Sequence, residues 1–150
     1  PTTTAPSTTT STTTTLPPAA IDQEFWADAI MSSGVDCPNG YVRAQTFTAG
    51  RTGLLERVDL QVIGVAQIDL TIEGATADGV AEVQLSEAAP LVAGEQYAIV
   101  IDAHPDCTAG WVLLGDTGYE DGGAWTTNPV SNGAFFEMAG SDYSFRTYVR

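Results

Sequence analysis

The alternation in Leu55-Glu56-Arg57-Val58-Asp59-Leu60-Gln61-Val62 limits the fold more than any other feature of this chain. Val58, Leu60 and Val62 recur at every second position, and Arg57, Asp59 and Gln61 fill the gaps. A strand places successive side chains on opposite faces, so this pattern makes one apolar face and one polar face, as a half-buried strand requires. Upstream, Ala44-Gln45-Thr46-Phe47-Thr48-Ala49-Gly50 ends in a pair of small residues that let the chain reverse and bring two strands together.

The same pattern of short strand, turn and short strand runs to the end of the chain. Strands are expected at residues 41–48, 54–63, 68–73, 80–85, 97–101, 111–114, 134–138 and 143–149. Ile68, Leu70 and Ile72 alternate with Asp69, Thr71 and Glu73; Tyr143, Phe145, Thr147 and Val149 alternate with Ser144, Arg146 and Tyr148. The separators are rich in turn formers, among them Ala93-Gly94-Glu95, Gly122-Gly123 and Asn132-Gly133. Residues 20–34 carry two patterns. Phe25, Ala29 and Ile30 sit at helical spacing, while Ile21-Asp22-Gln23-Glu24-Phe25-Trp26 suits a strand; we expect a first strand, then a loop or short helical turn up to Gly34. The whole predicts an all-β fold, an antiparallel two-sheet β-sandwich of jelly-roll type.

The first eighteen residues differ in kind. Pro1 to Pro18 is threonine, serine and proline with no charge and almost nothing apolar, so it cannot form a core. It reads as an extended Thr/Pro-rich stalk or linker, giving a division into residues 1–20 and a sandwich domain at 21–150. Such tracts accept O-linked sugar, here at Thr2, Thr3, Thr4, Ser7, Thr8, Thr9, Thr10, Ser11, Thr12, Thr13, Thr14 and Thr15. Pro1 is a poor residue to follow a signal-peptidase cut, so the chain is expected to continue upstream.

Charge narrows the partners. Nineteen acidic residues against five basic ones, all arginine, leave a formal charge of −14. Such a surface repels phosphate backbones and anionic lipid, and no apolar run is long enough to span a bilayer, so neither nucleic acid nor membrane insertion is expected. Cys37 and Cys107 both lie in loop-like surroundings, either as free thiols or as a disulfide; an extracellular setting favours the pair. Closing a loop of roughly 70 residues would stabilise the fold by about 4 kcal/mol in the chain-entropy treatment.

Several stretches together resemble jelly-roll modules of the galactose-binding-like or carbohydrate-binding-module kind found in secreted and surface proteins of bacteria. They are Ile21-Asp22-Gln23; Ala44 to Ala49 with Leu55, Val58 and Leu60; Leu91-Val92-Ala93-Gly94-Glu95-Gln96-Tyr97-Ala98-Ile99-Val100; Trp111 with Gly115; Tyr119 before Gly122-Gly123; and Asp142-Tyr143-Ser144-Phe145-Arg146-Thr147-Tyr148. The resemblance covers nearly all of the chain from Ile21 and implies an extracellular, non-catalytic module. It carries over no ligand and no binding residues.

No motif names a reaction. His104 is the sole histidine, no Gly-x-Ser-x-Gly elbow accompanies it, and its expected place is a solvated loop. Two cysteines and one histidine are too few for a zinc site. Asp116, Glu120 and Asp121, in Asp116-Thr117-Gly118-Tyr119-Glu120-Asp121-Gly122-Gly123, offer hard oxygens for Ca2+, although the spacing is not that of an EF-hand and a solvated acidic turn suits the stretch better. For stacking on a sugar ring the aromatic candidates near loops are Trp26, Trp111, Tyr119, Trp125 and Phe136. Trp125 leads because Gly123-Ala124-Trp125-Thr126-Thr127-Asn128 is polar and turn-like, with Tyr119 and Phe136 beside it as ligand-binding residues; Trp111 opens an apolar strand and belongs to the core.

Two functions fit. The first is a secreted binding or adhesion module on a glycosylated stalk, taking polysaccharide or another cell-surface component. The second is a structural subunit of an extracellular filament or surface layer, with the Thr-rich tail packing on or pairing with another copy of the chain.

Overall fold

The computed structural model of the chain describes residues 17–26, 32–34, 41–63, 79–102, 110–115, 118–127, 130 and 132–150. These form β-strands and turns, with no helix among them. In order the strands are β1 (Ala20–Phe25), β2 (Ser32–Gly34), β3 (Val42–Thr48), β4 (Gly53–Ile63), β5 (Gly79–Leu91), β6 (Gln96–Asp102), β7 (Gly110–Gly115), β8 (Ala124–Thr126), β9 (Phe136–Glu137), β10 (Ser141–Tyr143) and β11 (Phe145–Val149). Residues 1–16 of the stalk with its acceptor threonines and serines, the strand expected at 68–73, Cys37, Cys107, His104 and Asp116 lie outside the described residues, while β1 already takes in Ala20.

The strands form two antiparallel sheets. One runs β1-β11-β4-β7-β10, with β5 on β4 and β2 on β7; the other runs β6-β3-β8-β9. Their inward faces meet in one core built from Phe47, Leu55, Val58, Leu60, Trp111, Tyr143, Phe145 and Val149, among others. The alternation in β4 does what its period demands: Val58, Leu60 and Val62 face that core, and Arg57, Asp59 and Gln61 face away. The outward Asp59 is nonetheless only 3% exposed. The Arg57 guanidinium lies 3.7 Å over the Tyr148 ring, and the Tyr148 hydroxyl donates to Asp59 at 2.7 Å.

The strand expected at 134–138 shrinks to Phe136–Glu137, and three other boundaries differ from the sequence expectation for a reason of pairing. β5 continues past Leu85 to Leu91 and takes in Pro90. It pairs only with β4 among the described strands, so Pro90, which lacks an N–H, can lie opposite Leu54. Ser32–Gly34 is strand rather than loop or helical turn, recruited by β7 through Ser32↔Val112 and Gly34↔Gly110. The stretch expected at 143–149 divides at Ser144 into β10 on β7 and β11 on β4. Ser144 donates its N–H to the Val112 carbonyl, while its own carbonyl accepts the Trp111 indole N–H at 2.8 Å.

Trp111 is fully buried, as its apolar strand implied, and stacks on Tyr143 with ring centroids 4.4 Å apart. The turn at Gly94, at φ +83°, brings β5 into β6, and its N–H donates to the Ala49 carbonyl. Phe145 joins the two sheets through Phe47, 6.0 Å away between centroids, and takes the Tyr119 ring edge-on at 5.3 Å. Removing that ring leaves a cavity that neither sheet can close. We expect Phe145→Ala to cost about 3–5 kcal/mol, measured as the shift in urea midpoint at unchanged slope.

Candidate functional site

On the outer face of the four-stranded sheet, residues 118–123 run alongside β3 and wall off a hollow of about 280 Å³ lined by Thr46, Thr48, Gln96, Glu120, Asp121, Gly122, Gly123, Trp125 and Glu137. The alternation of β3 sets its floor. Gln45 and Phe47 point into the sandwich, so Thr46 and Thr48 point out. Trp125 lies on the same outer side, because Ala124 beside it is in the core. Its cross-strand partners are Ala44 on β3 and Glu137 on β9. Residues directly opposite in antiparallel strands have Cβ atoms about 5 Å apart, which sets a carboxylate beside the half-buried indole.

Backbone hydrogen bonds hold the wall. Thr46 donates its N–H to the Gly123 carbonyl at 2.9 Å, and its hydroxyl accepts the Gly123 N–H at 2.9 Å. The Thr48 hydroxyl donates to the Asp121 carbonyl at 2.9 Å. So close an approach requires glycine at 122: a Cβ there would stand 1.9 Å from the Thr46 carbonyl oxygen, an atom of the backbone that cannot rotate aside.

A buried carboxylate anchors the start of the wall. Asp142, 3% exposed, accepts the Tyr119 N–H at 2.7 Å on one oxygen and the Gln45 side-chain amide at 2.9 Å on the other. Gln45 in turn accepts the Tyr143 N–H at 2.7 Å. β3, β10 and the loop therefore meet at one polar point. Burial raises the Asp142 pKa above its ordinary value, and the two donated hydrogen bonds offset part of that rise. The Tyr119 phenol is pushed well above its usual range, by burial first and then by Asp121 and Asp22. It keeps its proton and donates it to Gln23 at 2.7 Å.

The structure thus brings together three of the residues singled out in the sequence, Trp125, Glu120 and Asp121, in one hollow. Tyr119 does not line it: the ring packs between Phe25 and Phe145, and the residue serves the wall through its backbone. Phe136, 43% exposed, sits one register step from the hollow, opposite Thr126. Trp26 is elsewhere, under the Arg146 guanidinium at 4.1 Å. The stretch read as turn-like contains strand β8, because pairing with β3 and β9 outweighs the polar composition around Trp125. Among the described residues no three His, Cys, Asp or Glu side chains converge to hold a metal ion, and Asp116 lies outside them.

Sequence reasoning missed Thr46, Thr48, Gln96 and Glu137. The threonines were visible as outward positions of β3; nothing local marked Glu137, whose place depends on β9 pairing with β8.

A second hollow of about 350 Å³ opens between β5 and β6 and is walled by core side chains including Leu60, Val83, Leu91 and Ile99. Its lining is largely apolar, Tyr97 being the one lining side chain that carries a polar atom, and it lacks the converging polar groups that orient a ligand.

Fold and cleft together define a β-sandwich with a polar, aromatic-walled hollow on one outer sheet face. No family model, curated protein or solved structure matches the chain.

Two outcomes check the wall. Gly122→Ala is expected to cost about 1–3 kcal/mol, and chemical shifts at Thr46 and Gly123 report the loop lifting from β3. Asp142→Asn leaves one of two donors facing an amide N–H and should cost a similar amount. Because the folded pKa of Asp142 lies above the unfolded one, its contribution is fully present below the ordinary carboxylate value and shrinks as pH rises through the folded midpoint. The stability gap between wild type and Asp142→Asn should narrow in that direction, read from denaturant titrations at several pH values.

Proposed function

We propose that this chain is a non-catalytic extracellular binding module that holds polysaccharide, or another sugar-bearing cell-surface component, in the Trp125 cleft. The observation that carries the reading is the half-buried indole of Trp125, set on an outer sheet face among Glu137, Gln96, Glu120 and Asp121. A pyranose ring offers an apolar C–H face and a rim of hydroxyls, which calls for a flat aromatic surface bordered by hydrogen-bonding groups. Carboxylates and a side-chain amide accept from those hydroxyls, and the amide also donates.

At about 280 Å³ the hollow falls just under the usual span of ligand sites, about 300–1,000 Å³, which suits one or two rings of a longer chain lying across the sheet. The resemblance of the sequence to jelly-roll binding modules, which use an outer face in this way, supports the reading. In this reading residues 1–20 are a stalk, O-glycosylated between Thr2 and Thr15, that carries the module away from its point of attachment, and Cys37 pairs with Cys107 in the oxidising exterior. Nucleic acid and membrane insertion are not among its partners.

Trp125→Ala removes the stacking surface from an outward position and should leave the core intact. On a glycan array or in a polysaccharide pull-down, it is expected to lose at least about tenfold in affinity, the equivalent of 1.4 kcal/mol. Thermal unfolding should move little. Binding equal to that of the wild type would remove this cleft from the function.

A further inference from the structure

Among the described residues, the acidic side chains of the cleft have no cation beside them. Glu120, Asp121 and Glu137 line it, and the chain contains no lysine. Each of the five arginines is engaged elsewhere. Arg51 pairs with Asp22, Arg57 with Asp59, Arg146 with Glu24 and Arg150 with Glu56. Arg43 is buried and donates to Thr126 in the sandwich interior. The cleft therefore keeps its negative sign uncompensated, on a chain whose formal charge is −14.

We propose that the cleft selects a cationic glycan, a polymer of amino sugars whose nitrogens are not acylated, over neutral and acidic ones. This rests on the reading of the same cleft as a sugar site. The indole and the hollow make the site; the carboxylates determine which sugar it prefers. An ammonium group on the ring gains Coulomb attraction to the cleft carboxylates, screened less in a partly enclosed hollow than in bulk water. The face of an indole attracts cations as well. An N-acetylated ring has the same shape without the charge. A uronic acid ring is repelled, both at the cleft and by the field of the whole chain. A lysine-rich peptide would meet the same charge but could not spread a ring on Trp125, so the flat wall favours the sugar.

Calorimetric titration of the full chain with glucosamine hexamer, N-acetylglucosamine hexamer, cellohexaose, hexagalacturonate and hexalysine tests the proposal. Glucosamine hexamer should bind at least about tenfold tighter than either neutral hexamer, with no measurable heat from hexagalacturonate. The preference should shrink with added salt, and it should shrink when pH is raised until the sugar amines lose their protons. Asp121→Asn with Glu137→Gln should cut the preference for glucosamine hexamer over cellohexaose at least about threefold, while cellohexaose itself changes little. Both side chains are exposed, so the fold should survive the change.

Neutral hexamers that bind as tightly as glucosamine hexamer, in a manner lost in Trp125→Ala, would overturn the charge preference and leave the glycan reading standing. Hexalysine that matches glucosamine hexamer would overturn it too, by showing that charge acts without the ring. If no sugar of any charge binds, both readings fall together.

Discussion

The inside of this molecule depends on one carboxylate. Asp142 lies where the two sheets and the loop 118–123 converge, and a carboxylate taken out of water is tolerated only when its oxygens are met. Gln45, from the four-stranded sheet, meets one oxygen; the Tyr119 N–H, from the loop, meets the other. Gln45 also receives the Tyr143 N–H from the seven-stranded sheet. Apolar packing draws the sheets together and, through the alternation, fixes which face of each strand points inward. This polar junction adds to that constraint, because any slip also leaves a buried donor or acceptor empty.

The cleft follows from that junction. Once Tyr119 is held at Asp142, residues 120–123 have little freedom but to run beside β3, and the glycine at 122 lets them come within backbone hydrogen-bonding distance. The loop then stands as a wall next to Trp125 instead of as a solvated turn. The ring of Tyr119, edge-on to Phe145, ties the same wall to the hydrophobic core. A rigid scaffold carrying a short wall is the usual arrangement for binding surfaces, since the scaffold supplies geometry and the loop supplies chemistry.

Charge has a structural and a functional side here. With five arginines and no lysine, every cation is valuable, and each one is spent inside the fold or on a sheet surface. Arg57 shows the cost of this: it covers Tyr148 and neutralises Asp59 on an outer face where solvent is largely excluded. The cleft acids are left with none, which makes the sign of the site a property of the whole chain's arrangement.

Most of the sandwich was legible in the residues because strand formation and facing are local. Val58, Leu60 and Val62 on β4, and Phe145 and Val149 on β11, declare their side by period alone, and Gly94 declares a turn by its backbone freedom. Trp125, Glu120 and Asp121 were legible as candidates by residue type. What the residues could not declare is who stands next to whom. β2 is strand because β7 recruits it, β8 because it lies between β3 and β9, and Glu137 joins Trp125 only across that last pairing. Tyr119 looked like a ligand surface and became a strut, since a ring's use depends on which groups surround it in space. Local residue pattern was enough for an all-β chain with assigned faces and an acidic character; that an indole and three acids share one hollow rests on contacts between segments far apart along the chain, which no local pattern encodes.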